Sequence, residues 1–270
     1  MTHPAGDLFT EVPERSGLCC DFDGTIAPIV VDPQTARAVP GAVAALHELA
    51  RELAVVAAVS GRPAAFLGER LELTSYRSPL RAIGLHGLEE CLPDGSVRVR
   101  AGVTTWRPVI EEVRDQLLAA VPEGVRVEDK GYGVTVHWRS VSASGSELEA
   151  TAARSRAVAR AISAAHGLLA RPGKSSVELA LPLGIDKGTV LRELCGGLER
   201  AGYLGDDDGD LLAFHALDEL KAGAGVQTLK IAVAGAEAPA ALVAQADLVL
   251  DGPVAAAGFL SELAGRLRPR

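Results

Sequence analysis

The sequence predicts an α/β fold: a doubly wound parallel sheet core with an inserted α+β domain. Short apolar runs alternate with segments of helical periodicity in the first and last parts of the 270-residue chain, which is typical of a parallel sheet covered by helices. In the middle part, apolar and polar residues alternate along the predicted strands, as in an antiparallel sheet with one solvated face. Polar motifs follow several strands of the first and last parts, where open α/β sheets bind their ligands.

The first part of the chain alternates strands and helices. Leu18-Cys19-Cys20 is a short apolar run that predicts a buried strand. Pro40 suits the first turn of a helix expected over about residues 40–52. The continuous apolar run 53–59 predicts a strand that is buried on both faces. After a second helix, residues 81–85 predict a third strand.

The middle part has a different pattern. Val134, Val136 and Trp138 lie on one face of an alternating strand, which predicts a sheet backed by helices on one side. The strands are expected at residues 96–100, 125–128, 132–138, 167–170 and 176–180, and the helices at residues 105–121 and up to His166. These elements predict a separate α+β domain.

The alternation of strands and helices returns at Gly184. The helices are expected at residues 187–199 and 209–221, and the strands at residues 203–204, 229–233 and 247–250. We therefore expect a Rossmann-like core formed by residues 1–87 and 184–270, with an inserted cap formed by residues 88–183. An insertion after the third strand would place this cap over the carboxyl edge of the sheet, as a lid that selects the substrate.

Composition limits the classes of function. The chain is 48% apolar, which is ample for a core, and its net charge of −8 argues against a nucleic-acid or acidic-membrane surface. Its four cysteines have no metal-binding spacing, and we expect reduced thiols in a cytoplasmic protein. We expect no signal peptide, because no basic region followed by an apolar run begins the sequence, and no apolar stretch is long enough to cross a membrane.

Four motifs of the core follow strands or begin helices. They are Asp21-Phe22-Asp23-Gly24-Thr25 after the first strand, Ser60-Gly61-Arg62 after the second, Lys187 at a helix start, and Gly205–Asp210 after a later strand. In a doubly wound sheet these points converge on one crevice. Each motif also has an ordinary explanation, as an acidic turn, a strand-to-helix cap, a solvated lysine or a calcium loop.

Together the motifs suit the chemistry of phosphoryl transfer. Two adjacent carboxylates repel each other unless a cation or a proton lies between them. Asp21, Asp206 and Asp210 offer the oxygen ligands that Mg²⁺ takes. A serine hydroxyl and a lysine ammonium suit phosphate oxygens. A remaining aspartate is free to attack phosphorus, because carboxylates form aspartyl-phosphates, and another can exchange protons with the leaving group and with water.

These motifs, in this order, resemble those of phosphatases of the haloacid dehalogenase superfamily, and the inserted domain resembles their C2-type cap. The resemblance implies that Asp21 is the nucleophile and that Asp23 is the general acid/base. The residues that it assigns to the phosphoryl group are Ser60, Gly61, Arg62 and Lys187. The Mg²⁺ site that it implies consists of Asp206, Asp21 and the backbone carbonyl of Asp23, supported by Asp207 or Asp210.

A narrower resemblance is to the trehalose-6-phosphate phosphatases. It rests on the segments Asp21–Pro28, Gly84–Glu89, Glu128–Arg139 and Arg171–Glu178. The resemblance implies Mg²⁺-dependent hydrolysis of trehalose 6-phosphate through an aspartyl-phosphate, with an upstream sugar-phosphate synthase as a candidate partner. The residues that it places against the sugar are Arg171, Lys174 and Glu178 of the cap, with His86 and Glu89 near the hinge of the cap.

Two departures from the usual sequence of this family bear on the substrate. Gly209-Asp210-Leu211 replaces a Thr-Asp-Glu, and Glu178–Pro182, with Ala180, lacks the arginine of a Glu-aliphatic-Arg-Pro. Neither removes a core catalytic group.

Two alternatives to a trehalose-6-phosphate phosphatase remain open. One is a phosphatase of a pseudo-disaccharide of the validoxylamine 7′-phosphate type, and the other is a non-catalytic, sugar-phosphate-sensing relative. A third is a phosphoacceptor like a signalling receiver domain, although such domains lack a large inserted cap. The sequence leaves the oligomeric state open.

Overall fold

The computed structural model describes residues 4–139, 141, 144–173, 175–235 and 238–268. The strands are β1 (Ser16–Cys20), β2 (Val55–Val59), β3 (Arg81–Gly84), β4 (Glu89–Cys91), β5 (Val97–Val99), β6 (Arg126–Asp129), β7 (Gly133–His137), β8 (Leu169–Gly173), β9 (Ser176–Ala180), β10 (Arg200–Gly205), β11 (Gln227–Val233) and β12 (Leu248–Leu250). The α-helices are α1 (Asp7–Thr10), α2 (Ala42–Glu52), α3 (Ala64–Arg70), α4 (Leu73–Tyr76), α5 (Arg107–Ala120), α6 (Ser146–Ala165), α7 (Lys187–Cys195), α8 (Leu211–Ala224), α9 (Ala240–Gln245) and α10 (Gly252–Leu267).

The core sheet has the strand order β12-β11-β10-β1-β2-β3-β4-β5. The pairs from β12 to β3 are parallel, and β4 lies antiparallel to β3. The strand β1 lies inside the sheet, with β10 and β2 paired along its two edges. The chain continues from β1 to β2 on one side and returns at β10 on the other, so β1 lies at the switch point of a doubly wound sheet. The predicted α/β fold class is confirmed.

Side chains of the central strands contribute to two apolar layers, one on each face of the sheet. Leu18 and Cys20 of β1 pack in a cluster with α2 and α10, whereas Cys19 packs in a second cluster with α7 and α8. Burying a leucine side chain stabilises a fold by about 1.5–3 kcal/mol. The strand β2 is buried on both faces in the same way, which explains why its apolar run does not alternate with polar residues.

The chain divides into two compact units, Met1–Arg98 with Ile185–Arg270, and Val99–Gly184. In the second unit, β6, β7, β9 and β8 form an antiparallel sheet, against which α5 and α6 pack. Val134 of β7 and Leu179 of β9 are paired in register and fully buried. This buried face accounts for the one-sided alternation of the sequence in this part.

One strand joins a different sheet from the one expected. The strand predicted at residues 96–100 of the inserted domain is β5, and it lies at the edge of the core sheet. The backbone N–H of Leu92 donates to the carbonyl of Ser96 (2.8 Å) in the tight turn between β4 and β5. The first unit therefore extends to Arg98, whereas the sequence places the boundary after residue 87.

Other elements differ from expectation in their bounds. The helix α7 ends at Cys195 rather than at residue 199, because two glycines follow it. The strand β10 is longer than residues 203–204, because its pairing with β1 begins at Arg200. Among the described residues, no helix combines the length and the hydrophobicity needed to cross a bilayer.

Candidate active site

Three of the motifs end neighbouring strands of the core sheet. Asp21 follows β1, and its backbone N–H donates to the carbonyl of Leu204 in β10 (2.9 Å). Ser60 follows β2 on one side of β1, and Asp206 follows β10 on the other. Parallel strands end at the same edge of a sheet, so the three side chains start from one edge. All three residues are buried.

The ammonium group of Lys187 lies between carboxylates. Its Nζ is 3.0 Å from Oδ2 of Asp21 and 2.7 Å from Oδ1 of Asp210, and the lysine side chain is 3% exposed. Asp186 caps α7 by accepting a hydrogen bond from the backbone N–H of Thr189 (2.8 Å), which fixes the helix start that carries Lys187. Burial alone would lower the pKa of Lys187, but the surrounding carboxylates raise it well above its usual range. The lysine is therefore held as a cation.

Each carboxylate oxygen of Asp210 accepts two hydrogen bonds. Oδ1 accepts from Nζ of Lys187 (2.7 Å) and from the hydroxyl of Tyr203 (2.8 Å). Oδ2 accepts from the backbone N–H groups of Asp206 (2.8 Å) and Asp207 (3.0 Å). A carboxylate has about four lone-pair sites, so little of its capacity remains for a metal. Asp210 organises the turn after β10 and orients the lysine.

Three carboxylates form a group that suits a cation. Among the described residues, one oxygen each of Asp21, Asp206 and Asp210 lies within 4.8 Å of the others. Oδ1 of Asp21 is buried without a hydrogen-bond partner, so this acceptor is unsatisfied. Burial and neighbouring carboxylates raise the pKa of Asp21 well above its usual value and that of Asp206 to about 7, against the opposing charge of Lys187. A hard divalent cation would satisfy this oxygen and offset the repulsion, so the residues fit Mg²⁺.

The resemblance also associates Asp23 and Asp207 with the metal, but their side chains are bonded to other groups of the protein. The side chain of Asp23 is paired with Arg62. The side chain of Asp207 accepts a hydrogen bond from the backbone N–H of Gly209 (2.8 Å) and caps the turn before α8. Within the described part of the chain, neither belongs to the carboxylate group. Their side chains have structural partners next to the site.

The segment after β2 packs against the segment after β3. The backbone N–H of His86 donates to the carbonyl of Ser60 (2.9 Å). A Cβ at Gly61 would lie 2.8 Å from Nε2 of His86, so glycine is needed for this close approach. Leu85 and His86 both have positive φ angles, of 48° and 56°, which are strained for residues with a side chain. This packing holds His86 against the candidate phosphate-binding loop.

Arg62 and Glu89 have partners inside the core unit. The guanidinium group of Arg62 contacts both carboxylate oxygens of Asp23, at 2.6 Å each. Oε2 of Glu89 accepts a hydrogen bond from the backbone N–H of Ala64 (3.0 Å) at the start of α3. Burial raises the pKa of Glu89. The structure thus brings Arg62 to the candidate acid/base and gives Glu89 a helix-capping contact.

The candidate sugar contacts of the second unit lie on its sheet. In the register of β7, β9 and β8, Thr135, Glu178 and Arg171 are successive neighbours and share one face. Nζ of Lys130 lies 3.1 Å from Oε1 of Glu178. The hydroxyl of Thr135 is buried without a hydrogen-bond partner. Lys174 lies outside the described residues. This face offers charged and polar groups that bond to hydroxyls.

Three polar residues that bond to site residues, Thr25, Tyr203 and Lys130, were not assigned a role in the site from the sequence. The hydroxyl of Thr25 donates to Oδ1 of Asp206 (3.1 Å), and Tyr203 bonds to the turn after β10 as described. A tyrosine in an apolar, buried strand needs a partner for its hydroxyl, and this is the signal that points to Tyr203. Lys130 carries no such signal, because Glu178 is 48 residues away and approaches it only when the sheet forms.

A family model and curated relatives of known name point to the same family of proteins. The family model for trehalose-phosphatases matches residues 19–247. The trehalose-phosphate phosphatase of Mycolicibacterium paratuberculosis (strain ATCC BAA-968 / K-10) is 37% identical over an alignment of 261 positions, which covers 92% of this chain and 61% of that protein. That of Mycobacterium ulcerans (strain Agy99) is 35% identical over an alignment of 272 positions, which covers 94% of this chain and 62% of that protein. The chain thus spans about three fifths of the length of the curated relatives it matches.

A solved structure with a similar fold is the C-terminal domain of the trehalose-6-phosphate phosphatase of C. albicans. Its TM-score is 0.75, and the alignment covers 98% of this chain and 98% of that chain. The two sequences are 21% identical, so this likeness concerns the fold alone.

Proposed function

Because the chain belongs to the trehalose-phosphatase family, we propose that it hydrolyses trehalose 6-phosphate to trehalose and inorganic phosphate. The observation that carries the proposal is the 3.0 Å ion pair between Lys187 and Asp21, inside a buried group of acidic residues. A carboxylate with one unsatisfied oxygen beside a fixed ammonium suits attack on a phosphoryl group, whose charge spreads over its equatorial oxygens.

We propose that Asp21 and Asp206 hold Mg²⁺, with Asp210 at the border of the site. The backbone carbonyl of Asp23 would supply a further oxygen, and Asp207 would support the site by capping the adjacent turn. The unsatisfied oxygen of Asp21 and the raised pKa of Asp206 support a cation at this place. When bound, the ion would offset negative charge on the phosphoryl oxygens.

In the proposed first step, a carboxylate oxygen of Asp21 attacks phosphorus. The bond between phosphorus and the sugar oxygen breaks, and an aspartyl-phosphate forms. Lys187 offsets charge on the transferring group, while the hydroxyl of Ser60 and the backbone of Gly61 donate to its oxygens. Asp23 gives its proton to the departing sugar oxygen, which is a poor leaving group as an alkoxide.

In the second step, water attacks the phosphorus of the aspartyl-phosphate. Asp23, which the first step leaves as a carboxylate, accepts a proton from this water. The bond to Asp21 breaks, and the nucleophile is released together with inorganic phosphate. The side chain of Asp23 is 28% exposed, which leaves room for both a sugar and a water molecule to reach it.

The second unit (Val99–Gly184) is proposed to select the sugar, in the role of the cap that the sequence predicts at residues 88–183. Arg171, Lys174 and Glu178 would bind sugar hydroxyls, with His86 and Glu89 contributing from the core unit. The proposal is supported by the face of the sheet on which Arg171 and Glu178 are neighbours. Such groups exchange hydrogen bonds with water for hydrogen bonds with a disaccharide.

A cytoplasmic location and an upstream sugar-phosphate synthase belong to the same proposal. The location rests on the cysteines, which are free thiols buried in the structure, as is usual in a reducing compartment. The synthase follows from the substrate, because a phosphorylated disaccharide must be formed before it can be hydrolysed.

Phosphate release from a panel of sugar phosphates tests the function. We expect turnover of trehalose 6-phosphate with Mg²⁺, none with EDTA and none in Asp21→Asn. A strong preference for a phosphorylated pseudo-disaccharide would favour the validoxylamine alternative, which the departures at Gly209, Leu211 and Ala180 suggest. No release from any sugar phosphate would refute the proposal and favour a sensing relative or a phosphoacceptor.

A further inference from the structure

Arg62 binds Asp23 through two nitrogen atoms of its guanidinium group. Nε lies 2.6 Å from Oδ2 of Asp23, and Nη2 lies 2.6 Å from Oδ1. Two parallel hydrogen bonds fix the plane of a carboxylate, whereas a single ammonium contact leaves it free to rotate. The side chain of Arg62 is 14% exposed, so the pair is partly shielded from water.

The guanidinium group is itself held in place. Its Nη1 donates to the carbonyl of Pro33 (3.0 Å), and its Cζ lies 4.9 Å from the centroid of the Phe66 ring. Phe66 makes an edge-to-face contact with Phe22, with ring centroids 6.0 Å apart. Since Phe22 separates Asp21 from Asp23 in the sequence, these contacts connect Arg62 to both sides of the same motif.

These contacts favour a positioning role for Arg62 over direct phosphate binding. Three of its nitrogen atoms donate to protein oxygens. A phosphoryl group would have to displace Asp23 to use the same donors. Each oxygen of Asp23, in contrast, accepts one bond from Arg62 and keeps a second site, which on one oxygen can carry the proton that the leaving group receives.

We propose that Arg62 is a positioning residue that aims the carboxylate of Asp23 at the departing sugar oxygen. The inference rests on the proposed function, in which Asp23 protonates that oxygen. A sugar alkoxide needs this proton to leave, whereas 4-nitrophenolate leaves without it. Arg62 therefore matters for sugar phosphates and has little effect on 4-nitrophenyl phosphate.

The test compares kcat/KM of Arg62→Lys and Arg62→Ala with these two substrates. This ratio reports the steps up to the loss of the leaving group. For trehalose 6-phosphate we expect a loss of about 10- to 100-fold, because a catalytic group displaced by about 1 Å costs this much. For 4-nitrophenyl phosphate we expect a loss below about threefold. Arg62→Lys retains the positive charge, so it separates orientation from charge and tests the proposal even if Arg62→Ala does not fold.

Arg70→Lys is the matched control. Cζ of Arg70 lies 4.7 Å from the centroid of the same Phe66 ring, and its Nη2 donates to the carbonyl of Gln34 (2.9 Å). Its ion pair among the described residues is with Glu69, not with Asp23. We expect this variant to retain the wild-type kcat/KM with both substrates.

A double mutant adds a second criterion. In an Asp23→Asn background we expect Arg62→Lys to cause no further loss with trehalose 6-phosphate, because the group that it orients is already disabled. Equal losses with the two substrates, or a further loss in this background, would assign Arg62 to phosphate binding and overturn the inference. Wild-type protein that releases no phosphate would instead refute the proposed function, and the inference with it.

Discussion

The hydroxyl of Tyr203 donates a hydrogen bond to Oδ1 of Asp210 at 2.8 Å, and the same oxygen accepts from Lys187 at 2.7 Å. Tyr203 is fully buried in β10. A hydrogen bond made inside the sheet therefore helps to position the positive charge of the candidate active site. A change in the packing around Tyr203 would therefore also affect the position of Lys187, which has a role in the proposed reaction.

Tyr203→Phe removes this hydroxyl and keeps the ring. We expect the free energy of unfolding to fall by about 1.5–3 kcal/mol, because a hydrogen bond to a charged group is lost. We also expect kcat to fall with little change in KM, because Asp210 orients Lys187 less firmly. Urea denaturation and steady-state kinetics measure the two effects. An unchanged stability and an unchanged kcat would show that the hydroxyl has neither role.

Asp21→Asn removes the proposed nucleophile and a buried negative charge. We expect turnover to fall by at least about 10³-fold, because an amide does not form the acyl phosphate. Without metal, we expect the melting temperature to stay at or above that of the wild type, because the carboxylate is buried among other carboxylates. Lys187 keeps Asp210 as a partner. Near-normal phosphate release from this variant would contradict the assignment.

Mg²⁺ is expected to stabilise the wild-type protein by binding to its folded state. At a concentration of 100 times Kd, the gain in unfolding free energy is about 2.7 kcal/mol. Asp206→Asn removes one of the two proposed carboxylate ligands, so we expect a much smaller thermal shift with the ion. Calorimetry with Mg²⁺ and with EDTA measures the shift. Equal shifts in the two proteins would place the ion elsewhere.

Gly24 has a φ angle of 80°, and a Cβ at this position would collide with the carboxylate of Asp206. Gly24→Ala is therefore expected to disturb the metal site as well as to cost about 1–2 kcal/mol of conformational strain. Gly102 also has a φ angle of 80°, but the space around its Cβ position is open. Gly102→Ala thus carries the strain alone. If both variants kept the full Mg²⁺-induced thermal shift, the collision would be irrelevant to the site.

Glu128 is expected to titrate at unusually low pH. Its Oε2 lies 2.7 Å from Nε2 of His137, and this hydrogen bond lowers the pKa of Glu128 from 4.5 to about 2. Because the pKa is lower in the folded state, the stabilisation is present above about pH 4.5 and is lost as the pH falls toward 2. A ¹³C NMR titration of the carboxyl carbon measures the midpoint. In His137→Gln we expect this midpoint to move toward 4.5, and an unchanged midpoint would reject the pairing as its cause.

The location of the site was predictable because it depends on strand order. Asp21, Ser60 and Asp206 each follow an apolar run, and parallel strands bring such positions to one edge. The boundary between the two units was harder to predict from the sequence. Alternation at Val97 and Val99 indicates a strand with one apolar face, but not the sheet that it joins.

The hydrogen-bond and ion-pair partners of the site residues could be identified only from the structure. In the sequence, the charge of Arg62 suits a phosphate as well as a carboxylate, and its pairing with Asp23 depends on how two loops approach each other. From the sequence, Asp210 is likewise predicted to be a metal ligand. Its Oδ2 proves to be occupied by backbone N–H groups of its own turn, whose directions no sequence pattern specifies, and its Oδ1 by Lys187 and Tyr203.

The strand β1 is paired along both edges and covered on both faces, and Asp21 is the residue that follows it. Backbone amides in such a strand exchange with deuterium mainly when the whole unit opens. We therefore expect slow exchange in the strand to which the proposed nucleophile is attached, and faster local opening in the loop at Pro33 that holds Arg62. If Asp23 has the proposed acid/base role, protease cleavage at this loop is expected to impair proton transfer to the leaving group while leaving the acidic cluster intact.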